Sequence, residues 1–313
     1  MRRAAPPPRL RVDTAAAPPL CRVAPGPNGL RLEADPAGAP EGRAAAPHLA
    51  LALAGPVPCE GLDVAHGGRL VLAWSPGVVR SVGTADVGQM FDRRPAGLVE
   101  GVGARGANAG LLRADDGWRA VVLPSLGDRL AGLGDGPVAI APDGLRVAVA
   151  TADAVEERAL ADGAVLARHP GGATALEYGA DGALLAARGA VVGHADAPAA
   201  PSDGPPVRRL RAAADAPVAV SLDEAGAVRV HGREGAAPWE PPFAGVTAAT
   251  PTADGAWVLL AAPEGVALVR AADGALGVRI RGAVCGAALP DGRLVVGGPW
   301  GIAAIVPVSQ EKA

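Results

Sequence analysis

Residues 283–292 read Ala-Val-Cys-Gly-Ala-Ala-Leu-Pro-Asp-Gly, residues 293–301 Arg-Leu-Val-Val-Gly-Gly-Pro-Trp-Gly, and residues 302–308 Ile-Ala-Ala-Ile-Val-Pro-Val. Three short apolar runs are separated first by an Asp-Gly turn and then by a Gly-bearing turn. Asp-Gly supplies the local hydrogen bonding and the positive φ that tight reversals need. Residues 246–274 repeat this grammar, with Thr252-Ala253-Asp254-Gly255 at the first turn and Pro263-Glu264-Gly265 at the second. Pro142-Asp143-Gly144 and Ala180-Asp181-Gly182 open two further copies.

Extended along the chain, the first turn falls near Gly29, Gly68, Gly110, Gly144, Gly182, Asp215, Gly255 and Gly292. The mean spacing is about 38 residues, near the lower edge of propeller-blade periods. The second turn falls near Gly38, Gly77, Gly117, Ala154, Gly189, Gly226, Gly265 and Gly301, in the same phase. A helical solenoid is the rival, since alanine favours helix. Gly or Pro interrupts almost every candidate helix, however; residues 154–160 are the one stretch read as a helical turn. The runs 69–74, 258–262 and 293–296 read as short buried strands.

The expected fold is all-β: one β-propeller spanning residues 1–313, with eight blades and seven as the alternative count. The first unit, residues 20–55, is irregular and rich in Ala and Pro. The last unit holds three strands, so residues 9–13 are expected to pair with it and close the ring, removing exposed sheet edges. Residues 1–14 are then a closing strand and tail, and 309–313 a polar tail. Through its Pro-Asp-Gly and Ala-Asp-Gly turns the chain resembles the bacterial WD40-like and YVTN-type propeller superfamily. No Trp-Asp dipeptide occurs, so the resemblance is architectural. It implies an interaction platform more often than an enzyme.

Composition narrows the function classes. The chain is 50% hydrophobic but only 3% aromatic, with 44 Gly and 31 Pro. Lys312 is the only lysine, a skew that a GC-rich genome imposes. A net charge of −3 gives no basic stripe for nucleic acid. No apolar run is long enough for a membrane span, and the N-terminus lacks the apolar core of a secretion signal. Cys21, Cys59 and Cys285 have no metal-ligand spacing, and a cytoplasmic protein with buried reduced thiols is expected.

No catalytic, cofactor-binding or metal residues are assigned. His48, His66, His169, His194 and His231 are scattered over different units, and no Gly-x-Ser-x-Gly elbow occurs. Gly101-Val102-Gly103-Ala104-Arg105-Gly106 matches a dinucleotide-binding string but has no following helix. Glu156-Glu157 reads as a solvated turn, and Arg208, Arg209 and Arg211 as a solvated strand edge. What remains is the placement of the aromatics. Trp74, Trp118 and Trp300 fall at second turns, and Phe91, Trp239 and Phe243 in interblade loops. That places them toward one face, with Arg93 and Arg94 alongside. Gap-filling plugs between blades are the simpler reading; a partner-binding surface is the functional one. The expected function is a noncatalytic platform or scaffold subunit that binds protein. The alternative is a propeller hydrolase or lactonase using the channel mouth.

Overall fold

At Asp143, Asp181, Asp254 and Asp291 the carboxylate Oδ1 accepts the backbone N–H two residues on, at 2.9–3.1 Å. The glycine that follows takes positive φ, +67° at Gly144 for example. Asp162-Gly163 and Asp273-Gly274 use the same device. Each such turn reverses an apolar run onto its neighbour, and the result is a set of antiparallel meanders.

The computed structural model describes residues 20–26, 29–34, 49–55, 58–85, 90–98, 100–197, 203–232 and 239–307. Three strands precede the meanders: β1 (Leu20–Gly26), β2 (Gly29–Ala34) and β3 (Leu49–Gly55). Blade 1 is β4 (Gly61–Ala65), β5 (Leu70–Ser75), β6 (Val78–Gly83) and β7 (Met90–Arg93). Blade 2 is β8 (Glu100–Gly103), β9 (Ala109–Ala114), β10 (Gly117–Val122) and β11 (Gly127–Leu130). Blade 3 is β12 (Val138–Ile140), β13 (Arg146–Ala150), β14 (Ala154–Ala159) and β15 (Val165–Pro170). Blade 4 has β16 (Ala175–Tyr178), β17 (Leu184–Arg188) and β18 (Val191–His194), and blade 5 has β19 (Val207–Ala212), β20 (Ala219–Asp223) and β21 (Val228–His231). Blade 6 is β22 (Ala248–Pro251), β23 (Trp257–Ala262), β24 (Gly265–Arg270) and β25 (Leu276–Arg281). Blade 7 is β26 (Cys285–Ala288), β27 (Leu294–Gly298) and β28 (Gly301–Pro307), with β3 on its outer edge. The fold is a seven-bladed β-propeller.

The core is divided between the blades. Seven hydrophobic clusters each join the facing sides of two neighbouring blades, for instance Leu72 and Val79 of blade 1 against Leu112 and Val121 of blade 2. Blade 7 packs on blade 1 in the same way, Ala287 and Val295 meeting Leu62 and Val71. The first turns are hydrogen-bonded to each other on one face: His66 N–H to Ala104 O, Gly106 N–H to Pro142 O, Asp215 N–H to Ala253 O. We call this the lower face; second turns and interblade loops form the upper face.

Seven blades replace the expected eight because residues 20–55 do not form a blade of their own. Gly29 does lie at a hairpin, between β1 and β2. That hairpin is added in parallel to the outer edge of blade 6, with Leu20, Cys21 and Arg22 opposite Arg279, Ile280 and Arg281. The third strand, β3, runs antiparallel to β28 from Gly55 opposite Ile302 to Leu49 opposite Pro307. A three-strand reading of unit one was thus shared between two other sheets. The outer edge of β28, expected to receive residues 9–13, is filled by β3; residues 1–14, Gly38 and 309–313 lie outside the described residues. The helical turn expected at 154–160 is β14, whose alternation places Val155 in the blade 3–4 core.

An unpaired β28 is a sheet edge open to association. Deleting residues 1–57 is expected to lower the melting temperature by roughly 5 °C or more and to produce oligomers by light scattering. Deleting only 1–34, which spares β3, is expected to leave a monodisperse protein with a smaller shift.

Candidate functional site

Each inner strand of a propeller blade is hydrogen-bonded to its sheet on one side only, so its other edge faces the central channel. Here three arginines cross that space. A bulge in β19 shifts register between Val207 and Arg209. Val207, Leu210 and Ala212 then pack toward blade 4, which turns Arg209 and Arg211 the other way. Arg211 reaches Asp63 of blade 1 at 3.2 Å and Glu177 of blade 4 at 3.5 Å. Arg209 meets Glu100 of blade 2 at 2.5 Å. From the lower side, Arg105 of blade 2 reaches Glu177 at 2.8 Å and donates to the carbonyls of Tyr178, Ala212 and Ala213.

Three carboxylates and three guanidiniums therefore form a waist that joins blades on opposite sides of the axis. Asp63 also accepts the Gly103 N–H at 3.1 Å, and Glu177 the Tyr178 N–H at 3.0 Å. For Arg211, burial acts most strongly and disfavours the charged form; Asp63, Glu177 and Glu100 together outweigh it, so its pKa is raised. The waist divides the channel into cavities of about 390 Å³ and 250 Å³ above and 300 Å³ below. The first lies toward blades 2 to 5, the second toward blades 1, 6 and 7. A carboxylate held this way can serve as a base or metal ligand only by abandoning its arginine, which strands a buried charge.

Sequence reading assigned Arg208, Arg209 and Arg211 to a solvated edge. Arg208 does lie at the rim, donating to Val246 O at 2.5 Å, but Arg209 and Arg211 are the waist. The same correction applies to Glu156-Glu157, which sit in mid-strand. Glu157 is buried and accepts the Tyr178 hydroxyl at 3.0 Å, with Arg146 at 3.0 Å and His169 at 3.1 Å. Burial first, then the Glu157 charge, pushes the Tyr178 hydroxyl well above its ordinary range. The Gly-x-Gly-x-x-Gly string lies on β8 and its turn, where Gly103 serves close approach: a Cβ there would come within 2.7 Å of Val64 O.

The eight residues considered for partner binding are spread around the ring. Trp74 covers Gly61, where a Cβ would lie 2.2 Å from its ring. Trp118 is buried in the blade 2–3 core. Trp239 stacks on Gly274 and donates to Ala271 O at 3.3 Å. Phe243 is buried between blades 5 and 6 with the Arg279 guanidinium 5.2 Å over its ring. Trp300 donates to Gly282 O at 2.7 Å. Arg93 pairs with Asp128 of blade 2, and its hydrogen bonds hold that carboxyl below the usual range. Phe91 is 49% exposed, and Arg94 is exposed beside it.

One serine–histidine contact escaped sequence reading. Ser221 on β20 and His231 on β21 meet at 2.8 Å, brought together by the hairpin between them. Ser221 is 1% exposed and lines none of the three cavities, so the contact satisfies a buried hydroxyl within the sheet. Among the described residues, no group of three or more His, Cys, Asp or Glu converges on one point, and no helix is long and apolar enough to cross a membrane. Comparison with protein-family models and with curated proteins finds no match to this chain. The likeness to WD40-like and YVTN-type propellers is thus one of fold and assigns no family or superfamily.

Two outcomes are expected. Arg211→Met leaves Asp63 without its cation and Glu177 with Arg105 alone, and is expected to cost about 3–5 kcal/mol in urea unfolding. Adding Asp63→Asn, which removes the stranded charge, should recover part of that loss. For His231, burial and then Arg229 lower the pKa, so the folded state binds its proton less readily than the unfolded chain. Stability is therefore full above about pH 6.5 and falls as pH drops from there toward the folded pKa. The difference in unfolding free energy between wild type and His231→Gln should show that slope.

Proposed function

We propose that this propeller is a noncatalytic platform that binds a protein partner on its outer rim. One observation carries the reading: the charged groups at the centre are engaged with one another, while among the described residues the large apolar side chains left exposed lie away from the channel. Leu145, Val165 and Leu166 are 62%, 55% and 56% exposed. All three sit at one lower corner of blade 3, at the turn into β13 and the start of β15. Leu145 is tied to the end of β14, where the turn toward β15 begins, through its carbonyl, which accepts the Leu160 N–H at 2.8 Å. Large exposed apolar side chains on a chain otherwise rich in small residues are the composition of a contact surface. Phe91 and Arg94 on blade 1 form a second, smaller exposed site.

An extended apolar segment of a partner suits this corner, because β15 is the outermost strand of its blade and strand addition to such an edge has a precedent within the molecule, in β1 on β25. Leu145→Glu with Leu166→Glu should leave stability within about 0.5 kcal/mol of wild type. In cells carrying the tagged protein, cross-linking followed by mass spectrometry should identify a partner joined to blade 3, and the double variant should lose it. A partner captured equally by the variant moves the surface elsewhere, with Phe91→Ala/Arg94→Ala as the next test. Turnover of ester or lactone substrates that disappears in Glu100→Gln would replace the platform reading with the hydrolase one.

A further inference from the structure

Cys59 and Cys285, 226 positions apart in sequence, meet where blade 7 faces blade 1. Their Sγ atoms are 3.4 Å apart, and the Cys59 thiol also donates to Gly61 O at 3.0 Å. Both side chains are buried. The close approach depends on Gly297 in β27: a Cβ there would come within 2.8 Å of the Cys285 Sγ and 2.9 Å of the Cys59 Sγ. Cys59 lies in the segment that leads from β3, outside blade 7, to β4, the inner strand of blade 1. That segment is held to blade 7 by the Cys59 N–H to Gly298 O hydrogen bond at 3.0 Å. Cys285 starts β26, the inner strand of blade 7, and lines the upper cavity of about 250 Å³ beside Glu60 and Gly286.

We propose that Cys59 and Cys285 form an oxidation site, at which a peroxide entering from the upper cavity converts the two thiols to a disulfide that ties blade 7 to blade 1. The sulfurs need to close from 3.4 Å to about 2 Å, a displacement shared by two residues. In the first step one deprotonated sulfur attacks a peroxide oxygen and the O–O bond breaks. That sulfur becomes a sulfenic acid, and the other oxygen leaves as hydroxide, which the released proton converts to water. In the second step the remaining sulfur attacks the sulfenic sulfur; the S–S bond forms, the S–O bond breaks, and the hydroxide leaves with the second thiol's proton as water. Two thiols give up two electrons and two protons, and one peroxide becomes two waters. At rest the pair stays a dithiol: the hydrogen bond with Cys59 and burial push the Cys285 thiol above its ordinary range.

Such a bond would enclose nearly the whole propeller in one loop, the geometry in which a cross-link most restricts the unfolded chain. The full-length reduced protein is titrated with hydrogen peroxide, free thiols are blocked, and peptides are mapped by mass spectrometry without reduction. The expected product is a peptide pair joined through Cys59 and Cys285, with the loss of two hydrogen atoms, and Cys21→Ser should give the same product. The oxidised protein should melt several degrees higher, and dithiothreitol should abolish both changes. A sulfinic or sulfonic acid at Cys285 with no cross-link, or a cross-link through Cys21 instead, would overturn the proposal. A Cys59–Cys285 bond with unchanged melting would overturn its stapling role. Because the wild-type map decides, the result does not depend on Cys59→Ala or Cys285→Ala folding normally; where they fold, each should remove the cross-link.

Discussion

Seven sheet edges face one axis, and their unpaired carbonyls cannot reach one another across it. A guanidinium can. Arg105 carries donors from blade 2 to the carbonyls at the ends of β16 and β19, satisfying acceptors that would otherwise face the channel with only water for a partner. Arg211 and Arg209 then complete the charge balance with Asp63, Glu177 and Glu100. Blades otherwise touch their neighbours, and stability built only on neighbours permits local opening between any two. The waist adds links between blade 5 and blades 1 and 2, and between blade 2 and blade 4, so that opening one interface disturbs contacts across the axis. Such pairs add little net free energy against their desolvation; their effect is to fix which blades face each other.

The interfaces between blades obey a different constraint. With few aromatics, the filling is Ala, Val and Leu, and close approach replaces bulk. Gly103 lets β8 lie against Val64, and Gly61 gives Trp74 a flat backbone to cover. The rings that do occur are distributed: Trp118, Tyr178, Phe243 and Trp257 each belong to a different cluster. A cluster of small side chains has little tolerance for a lost methylene, since neighbours of the same size cannot move in to fill the gap. Leu72 and Leu112, fully buried between blades 1 and 2, are positions of that kind.

What could be read from the residues follows from the range over which each signal acts. Asp-Gly turns are local chemistry; they open four of the blades, and the turn series to which they belong marks seven units that are blades. The count failed where spacing alone was used: residues 20–55 have turn residues at the right interval, yet their strands pair with β25 and β28, partners more than 240 positions away. Arg209 and Arg211 were misassigned because a bulge of one residue decides which side of β19 they occupy, and nothing within Arg208-Arg209-Leu210-Arg211 marks it. The meeting of Cys59 with Cys285 is a consequence of blade 7 packing on blade 1, and so is invisible until the blades are numbered correctly. Glu157, with its neighbour Glu156, resembled a surface pair because its partners Arg146, His169 and Tyr178 come from three other strands.

The centre is occupied by its own ion pairs, and the outer rim is not uniform. Blade 6 carries β1 and β2 on its outer strand, and blade 7 carries β3. Blade 3 ends at β15, where the first two residues are Val165 and Leu166, both largely exposed. Proteins usually protect an outer strand with charge, proline or a covering segment. Here Arg168 with Asp153, and Pro170, guard the upper half of β15, while the lower half is left apolar beside Leu145. That division within one strand is the reverse of uniform edge protection. It leaves the lower corner of blade 3 with apolar side chains in water and, among the described residues, an outer strand with no further strand beside it.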